Sequence, residues 1–323
     1  MRVVFMGTPK FAEICLEGLM GAAVAGHINA EIVAVVTQPD RPGGRGKRLQ
    51  ASPVKQYAEM MNIPILQPEK IKAPENIAQL QALEADIFIV AAYGQILSQK
   101  ILDMPACGAI NVHASLLPKY RGASPIQQAI ADGETTTGIT IIQMDKGMDT
   151  GDMILKREIA IDPDDTGGSL HDKLAVLGPQ VLLDALRLIS DGKAVREPQN
   201  NNLATHAPLI TKQMAHIDWN KSSVAIVNMI RAYNPFPGAF TKLGDSQIKI
   251  WQAAIADSKQ PKEVSPTPNI PGTILQACPK DGIIVATADG AIRIIELTPP
   301  NAKKMYAADY VRGYKEVQLC IFH

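Results

Sequence analysis

Several features are scarce in these 323 residues, and each scarcity argues against a class of protein. Four cysteines, Cys15, Cys107, Cys278 and Cys320, lie far apart, with no CxxC pair and no histidine at metal-ligand spacing. That disfavours a disulfide-stapled scaffold or a zinc site and leads us to expect reduced thiols and no metal. No uninterrupted apolar run reaches the length of a membrane span, and Met1-Arg2 leads straight into Val3-Val4-Phe5-Met6, which reads as a first strand rather than a signal peptide. The expectation is a cytoplasmic protein without a membrane partner. Net charge is missing too: 32 Lys+Arg balance 32 Asp+Glu, which argues against a histone-like or tail-type nucleic-acid binder. The dinucleotide fingerprint is absent, since Gly7-Thr8-Pro9-Lys10 follows the first strand in place of G-x-G-x-x-G. A Walker A loop is absent as well: Arg48 follows Lys47 where Ser or Thr is required, and Pro42 stands where the glycine five residues before the lysine belongs.

What is present is an ordinary globular composition, 46% hydrophobic and 20% charged, long enough for two domains. The zero charge is a sum of opposites. Up to Leu209 there are 19 basic and 23 acidic residues, and after it 13 and 9, a net of −4 followed by +4. The first part alternates short β-rich runs (Val3 to Met6, Ile32 to Thr37, Ile63 to Leu66, Ile87 to Tyr93, Ala109 to His113) with segments of helical period, which predicts βαβ units and a mainly parallel sheet. Thr8 reads as the N-cap of the first helix, ahead of Pro9 and the helically spaced Phe11, Ile14, Cys15 and Leu19. A long amphipathic helix is expected from about Ser169 to Ser190. The polar stretch 197–208 reads as a linker between a domain of residues 1–196 and one of 209–323. In the latter, five strand-like runs with glycine turns and a Pro-rich insertion (QPKEVSPTPNIPG) predict a small OB-like β-barrel.

The sharpest chemical signal is NVHASLLPKYRGASPIQQAI. Strand alternation puts Asn111, His113 and Ser115 on one face at the carboxyl end of a strand, where open α/β sheets bind ligands, and Leu116-Leu117-Pro118 then turns the chain over that face. An amide donor beside an imidazole suits stabilisation of a developing oxyanion and proton exchange with a nitrogen. The same Asn-x-His pair is also what a satisfied structural pair looks like. Asp149, in the turn DKGMDTGD, is a candidate third member; the acids of that turn lack EF-hand spacing. A second segment, TQPDRPGGRGKRLQASPVK, gathers Arg41, Arg45, Lys47 and Arg48 among glycines, a cationic loop suited to phosphates or a plain solvated loop.

In order along the chain, MGTPKFA, VTQPDRPGGRGKRL, SPVK, VAAYGQIL, the INVHASLLPKYRGASPIQQAI block and MDKGMDTGD, with IDWNKSS, IRAYNPFPGAF, PGTIL and KKMYAADY later, make a sequence that resembles the methionyl-tRNA formyltransferases from end to end. The resemblance implies a Rossmann-like formyltransferase domain with a mainly parallel sheet, followed by an OB-like tRNA-binding domain. It implies transfer of the formyl group of 10-formyltetrahydrofolate to the α-amino group of methionyl initiator tRNA, by a monomer and without a metal. Carried over residue by residue, it assigns catalysis to Asn111, His113 and Asp149. It assigns folate binding to Ser115, Leu116, Leu117 and Pro118 and, lining a pterin pocket, Ala91, Tyr93, Ile96 and Leu97. It assigns tRNA contact to Arg41, Arg45, Lys47 and Arg48. Departures are small: Tyr120, Ser124, Gly43 and Asn301-Ala302 stand where the family favours other residues. The alternative is the same chemistry on a small amine, such as a nucleotide-sugar amine. That relative would have no use for the basic loop and second domain.

Overall fold

The computed structural model describes residues 1–43, 48–256, 270–313 and 320–323. The expectations on Arg45 and Lys47, and on most of the Pro-rich insertion, lie outside the described residues, as does the side chain of Arg48. Two compact units are present: one of Met1–Pro125, Thr136–Ile159 and His171–Ala207, the other of Ile126–Thr135, Ala160–Leu170 and Pro208–His323. The second unit thus draws in two pieces of chain from before the linker stretch.

The first unit is built on a seven-stranded sheet in the order Met153–Ala160, Thr136–Gln143, Ala109–His113, Ile87–Ala91, Arg2–Gly7, Glu31–Val36, Ile65–Leu66. The pairings from Ile65–Leu66 through to Ala109–His113 are parallel, and Ala109–His113 pairs antiparallel with Thr136–Gln143. Val3 to Met6 and Ile87 to Ala91 are buried without alternation, the mark of parallel strands covered on both faces. Strand Arg2–Gly7 has its sequential neighbour on one side and Ile87–Ala91 on the other, so the connections reverse direction there. The ends of these two strands flank a switch point, the place where such sheets open a ligand crevice.

Thr8 does not cap the first helix, Lys10–Val24, whose N-cap is Pro9. Its hydroxyl donates instead to the Tyr93 carbonyl (3.0 Å), which also accepts from Gln38 Nε2 (3.2 Å). Gln95 spans from the Ile71 amide to the Pro68 carbonyl, both at 2.9 Å. The loop after Ile87–Ala91 is thereby tied to the first and second strand ends. The expected long helix runs from Gly167 to Ser190.

The second unit holds a six-stranded antiparallel sheet, in the order Phe240–Leu243, Ser246–Ile255, Ala291–Thr298, Gly282–Ala286, Ile274–Cys278, with Met305–Tyr306 added to Ala291–Thr298. The helix Ser223–Ala232 lays Ile226 and Ile230 into the core of Ile248, Ile250, Ile283, Ile292 and Ile294. The five expected strands are these, as an OB-like domain requires.

Candidate active site

Ala109–His113 emerges with Asn111 and His113 on one face, two residues apart as the pleat demands. The turn between Thr136–Gln143 and Met153–Ala160 brings Asp149 to them. Asp149 has φ 55°, a left-handed conformation that Asp tolerates better than most residues because its short side chain bonds locally. Its carboxylate accepts from Asn111 Nδ2 at 3.2 Å through one oxygen and from the Gly122 amide at 2.9 Å through the other. The second oxygen also stands 3.6 Å from His113 Nδ1, beyond hydrogen-bond range. His113 is buried, and its Nε2 lies 2.9 Å from the Tyr120 carbonyl. A carbonyl only accepts, so Nε2 carries the hydrogen and Nδ1 is the nitrogen facing Asp149.

The loop after His113 is closed by its own polar groups. Ser115, fully buried, donates to the Lys119 carbonyl (2.7 Å). Thr140, also fully buried and opposite His113 in the sheet, donates to the Ser115 carbonyl (2.6 Å) and accepts from the Leu117 amide (3.1 Å). Leu117–Pro118 is cis. Ser115 and Leu117 therefore shape the loop from inside, Leu117 packing with Ile142 and Met153, while Leu116 and Pro118 are partly exposed.

A similar division holds in the expected pterin-lining stretch. Ala91, Tyr93 and Leu97 are buried, the last two in the core that includes Val4, Val36 and Phe88. Ile96 is 64% exposed, and Ala92 and Gly94 are exposed. Of the four expected residues, Ile96 is the one whose side chain stands at the surface. Burial pushes the Tyr93 phenol up to about 12. Among the basic residues, Arg41 opens the short hairpin Arg41–Gly43 with Arg48–Gln50 and forms an exposed ion pair with Glu69 at 2.8 Å. Such a pair is weak and easily exchanged for a phosphate. No cluster of three or more His, Cys, Asp or Glu able to hold a metal occurs among the described residues, and none of their helices is long and apolar enough to cross a membrane.

Sequence reasoning missed Arg121 and Gln199. Arg121 is buried and sends Nε (3.1 Å) and Nη2 (2.8 Å) to Gln199 Oε1 and Nη2 again to Asn201 Oδ1 (2.8 Å). Gln199 Nε2 in turn donates to the Asp149 and Gly151 carbonyls, both at 2.8 Å.

The description of the formyl transferase family matches residues 1–186, and that of the formyl transferase C-terminal domain matches residues 209–315. Fold and site together define a two-part formyl transferase. Methionyl-tRNA formyltransferase of Ruminiclostridium cellulolyticum is 47% identical over 315 residues, 98% of this chain and 97% of that protein. The protein of the same name from Marinobacter nauticus is 46% identical over 99% of this chain and 98% of its own length. This chain belongs to the methionyl-tRNA formyltransferase family. Among solved structures, the N-formyltransferase of Helicobacter canadensis in complex with folinic acid and dTDP-3-aminofucose superposes with a TM-score of 0.61 at 19% identity, over 94% of this chain and 99% of that one. HypX from Aquifex aeolicus in complex with tetrahydrofolic acid gives 0.61 at 16% identity, over 98% of this chain and 48% of that longer one. At such identities the likeness is one of fold.

Proposed function

We propose that this protein transfers the formyl group of 10-formyltetrahydrofolate to the α-amino group of methionine on initiator tRNA, as a monomer in the cytoplasm. The observation that carries the reading is the convergence of Asn111, His113 and Asp149 at a strand's carboxyl end, in a chain 45–47% identical to methionyl-tRNA formyltransferases over nearly its whole length. The neutral amine attacks the formyl carbon, and the carbonyl oxygen takes up negative charge. The amide of Asn111 gives one N–H to Asp149 and its other N–H to that oxygen. His113 and Asp149 carry the proton lost by the amine to N10 of the folate as the carbon–N10 bond breaks. The products are the formylated aminoacyl-tRNA and tetrahydrofolate, so atoms and charge balance. The exposed Ile96 and the pinned backbone from Ala92 to Gly94 suit a flat, hydrogen-bonding pterin ring. The basic loop and the positive segment after Leu209 meet the tRNA, mainly through phosphates.

The test is to incubate the protein with 10-formyltetrahydrofolate and either charged initiator tRNA or small amines, including a nucleotide-sugar amine. Formylation of the tRNA alone, weakening steeply with added salt, is the expected result. Turnover of the small amine in preference to the tRNA overturns the substrate assignment.

A further inference from the structure

The polar stretch between the two family-matched regions is bound along the first unit and is no free tether. Glu197 and Met153 exchange backbone hydrogen bonds at 2.8 Å. The Thr205 carbonyl accepts from the Arg121 amide (2.9 Å), and the Ala207 carbonyl from the Ser124 amide (3.2 Å). His206 and Ala207 run parallel to Arg121 and Gly122. Between these attachments Gln199 is turned inward, whereas Arg196, Glu197, Pro198 and Asn200 are exposed. Its amide is saturated: two guanidinium N–H groups enter the oxygen, and two carbonyls receive the N–H groups. A guanidinium only donates and a carbonyl only accepts, so the partners fix which end of the amide is which.

We propose that Gln199 is a positioning residue for formyl transfer, holding the turn that presents Asp149. The proposal rests on the assignment of Asp149 to catalysis made above. The outer residues of that turn, Asp145 to Met148, are exposed, and Asp149 sits in a backbone conformation that needs outside support. Gln199 supplies it by holding the carbonyls of residues 149 and 151. Those bonds complete a closed circuit: the Asp149 carboxylate to the Gly122 amide, along the chain to the Arg121 guanidinium, on to Gln199, and back to the Asp149 carbonyl. The segment that leads on to the second unit thereby sets where the carboxylate stands.

The test uses the full-length protein. Gln199→Glu is nearly isosteric and keeps an oxygen for Arg121, but it turns its other oxygen toward two carbonyls; Gln199→Ala serves as the second variant where the first unfolds. Either lowers kcat about 10- to 100-fold, the effect of a displacement near 1 Å, while KM for folate and for tRNA stays within about twofold. Combined with Asp149→Asn, Gln199→Glu costs less than about a further twofold, because its effect runs through a carboxylate already lost. Wild-type kcat in both single variants, a rise in KM alone, or full multiplication of the losses in the double variant overturns the proposal. Full activity of Asp149→Asn by itself removes Asp149 from catalysis and this role with it; impaired Asp149→Asn beside active Gln199 variants removes only the role of Gln199.

Discussion

His113 Nε2 donates to the Tyr120 carbonyl at 2.9 Å, so the nitrogen turned toward Asp149, at 3.6 Å, is Nδ1. Backbone from the loop after the strand thus sets the orientation of a ring whose own strand only sets its position. Tyr120 itself has φ 63°, and its amide is held by Thr205 Oγ1 at 2.8 Å. Mechanism and loop geometry are coupled at this one carbonyl.

Asn111→Ala removes the donor proposed for the oxyanion and one hydrogen bond from Asp149. We expect kcat to fall about 100-fold with a much smaller change in KM. Steady-state kinetics against both substrates measure the split, and a change confined to KM sinks the oxyanion role.

Asp149→Asn keeps shape but turns an NH2 toward either the Asn111 amide or the Gly122 N–H, both of which are donors. The expected loss in kcat is about 100-fold or more, with a lowered melting temperature from the donor left unpartnered but a folded protein, because the turn backbone keeps its bonds to Gln199. Retention of activity would remove the carboxylate from the reaction.

The Tyr93 hydroxyl is buried and without a hydrogen-bond partner, a state that costs stability. Tyr93→Phe therefore leaves KM for folate unchanged and does not lower the melting temperature. The phenol is raised from 10.0 to about 12, so the unfolded chain ionises first. The stability contributed is complete below pH 10 and is lost as pH rises to about 12. Denaturant titrations at about pH 9 and pH 11 should show a larger loss for the wild type than for the variant.

Cys15 is fully buried, and burial raises its thiol to about 12. Burial thus holds it as the thiol and disfavours the thiolate, which is the reactive form. Alkylation followed by peptide mapping should leave Cys15 unmodified in the native protein and label it after denaturation. Labelling of the folded protein at the rate of the partly exposed Cys107 would contradict its burial.

Gly122 has φ 118°, and a Cβ there would stand 2.6 Å from the Ala207 carbonyl oxygen. Gly122→Ala forces the paired strands Arg121–Gly122 and His206–Ala207 apart, at a cost of about 1–3 kcal/mol. Calorimetry should show a lower melting temperature, and kcat should fall as well because the Gly122 amide holds Asp149.

The first sheet was legible because its strands are continuous apolar runs separated by helical periods. Asn111 and His113 were legible because a strand's pleat fixes their common face. Asp149 could be nominated only as an acid in a turn, since its approach depends on a hairpin closing across 38 residues from Asn111. In the pterin-lining stretch, Tyr93 and Leu97 pack in the core, and nothing in their spacing separates a wall of a pocket from a wall of the interior. Arg121 and Gln199 left no signal, being 78 residues apart, one in a two-residue strand and one in a polar run with the composition of a linker. Nor does any periodicity reveal that 126–135 and 160–170 pack with the second unit. Thr8 was misread because its hydroxyl serves a carbonyl from a distant strand end and not the helix it precedes.

The clamp formed by Gln199 lies 50 residues downstream of the aspartate it holds. At a synthesis rate of about 5–20 residues per second, roughly 3 to 10 seconds separate the appearance of Asp149 from that of its support. The nascent chain therefore carries Asn111, His113 and Asp149 for seconds before the side chain that holds the Asp149 carbonyl has been made.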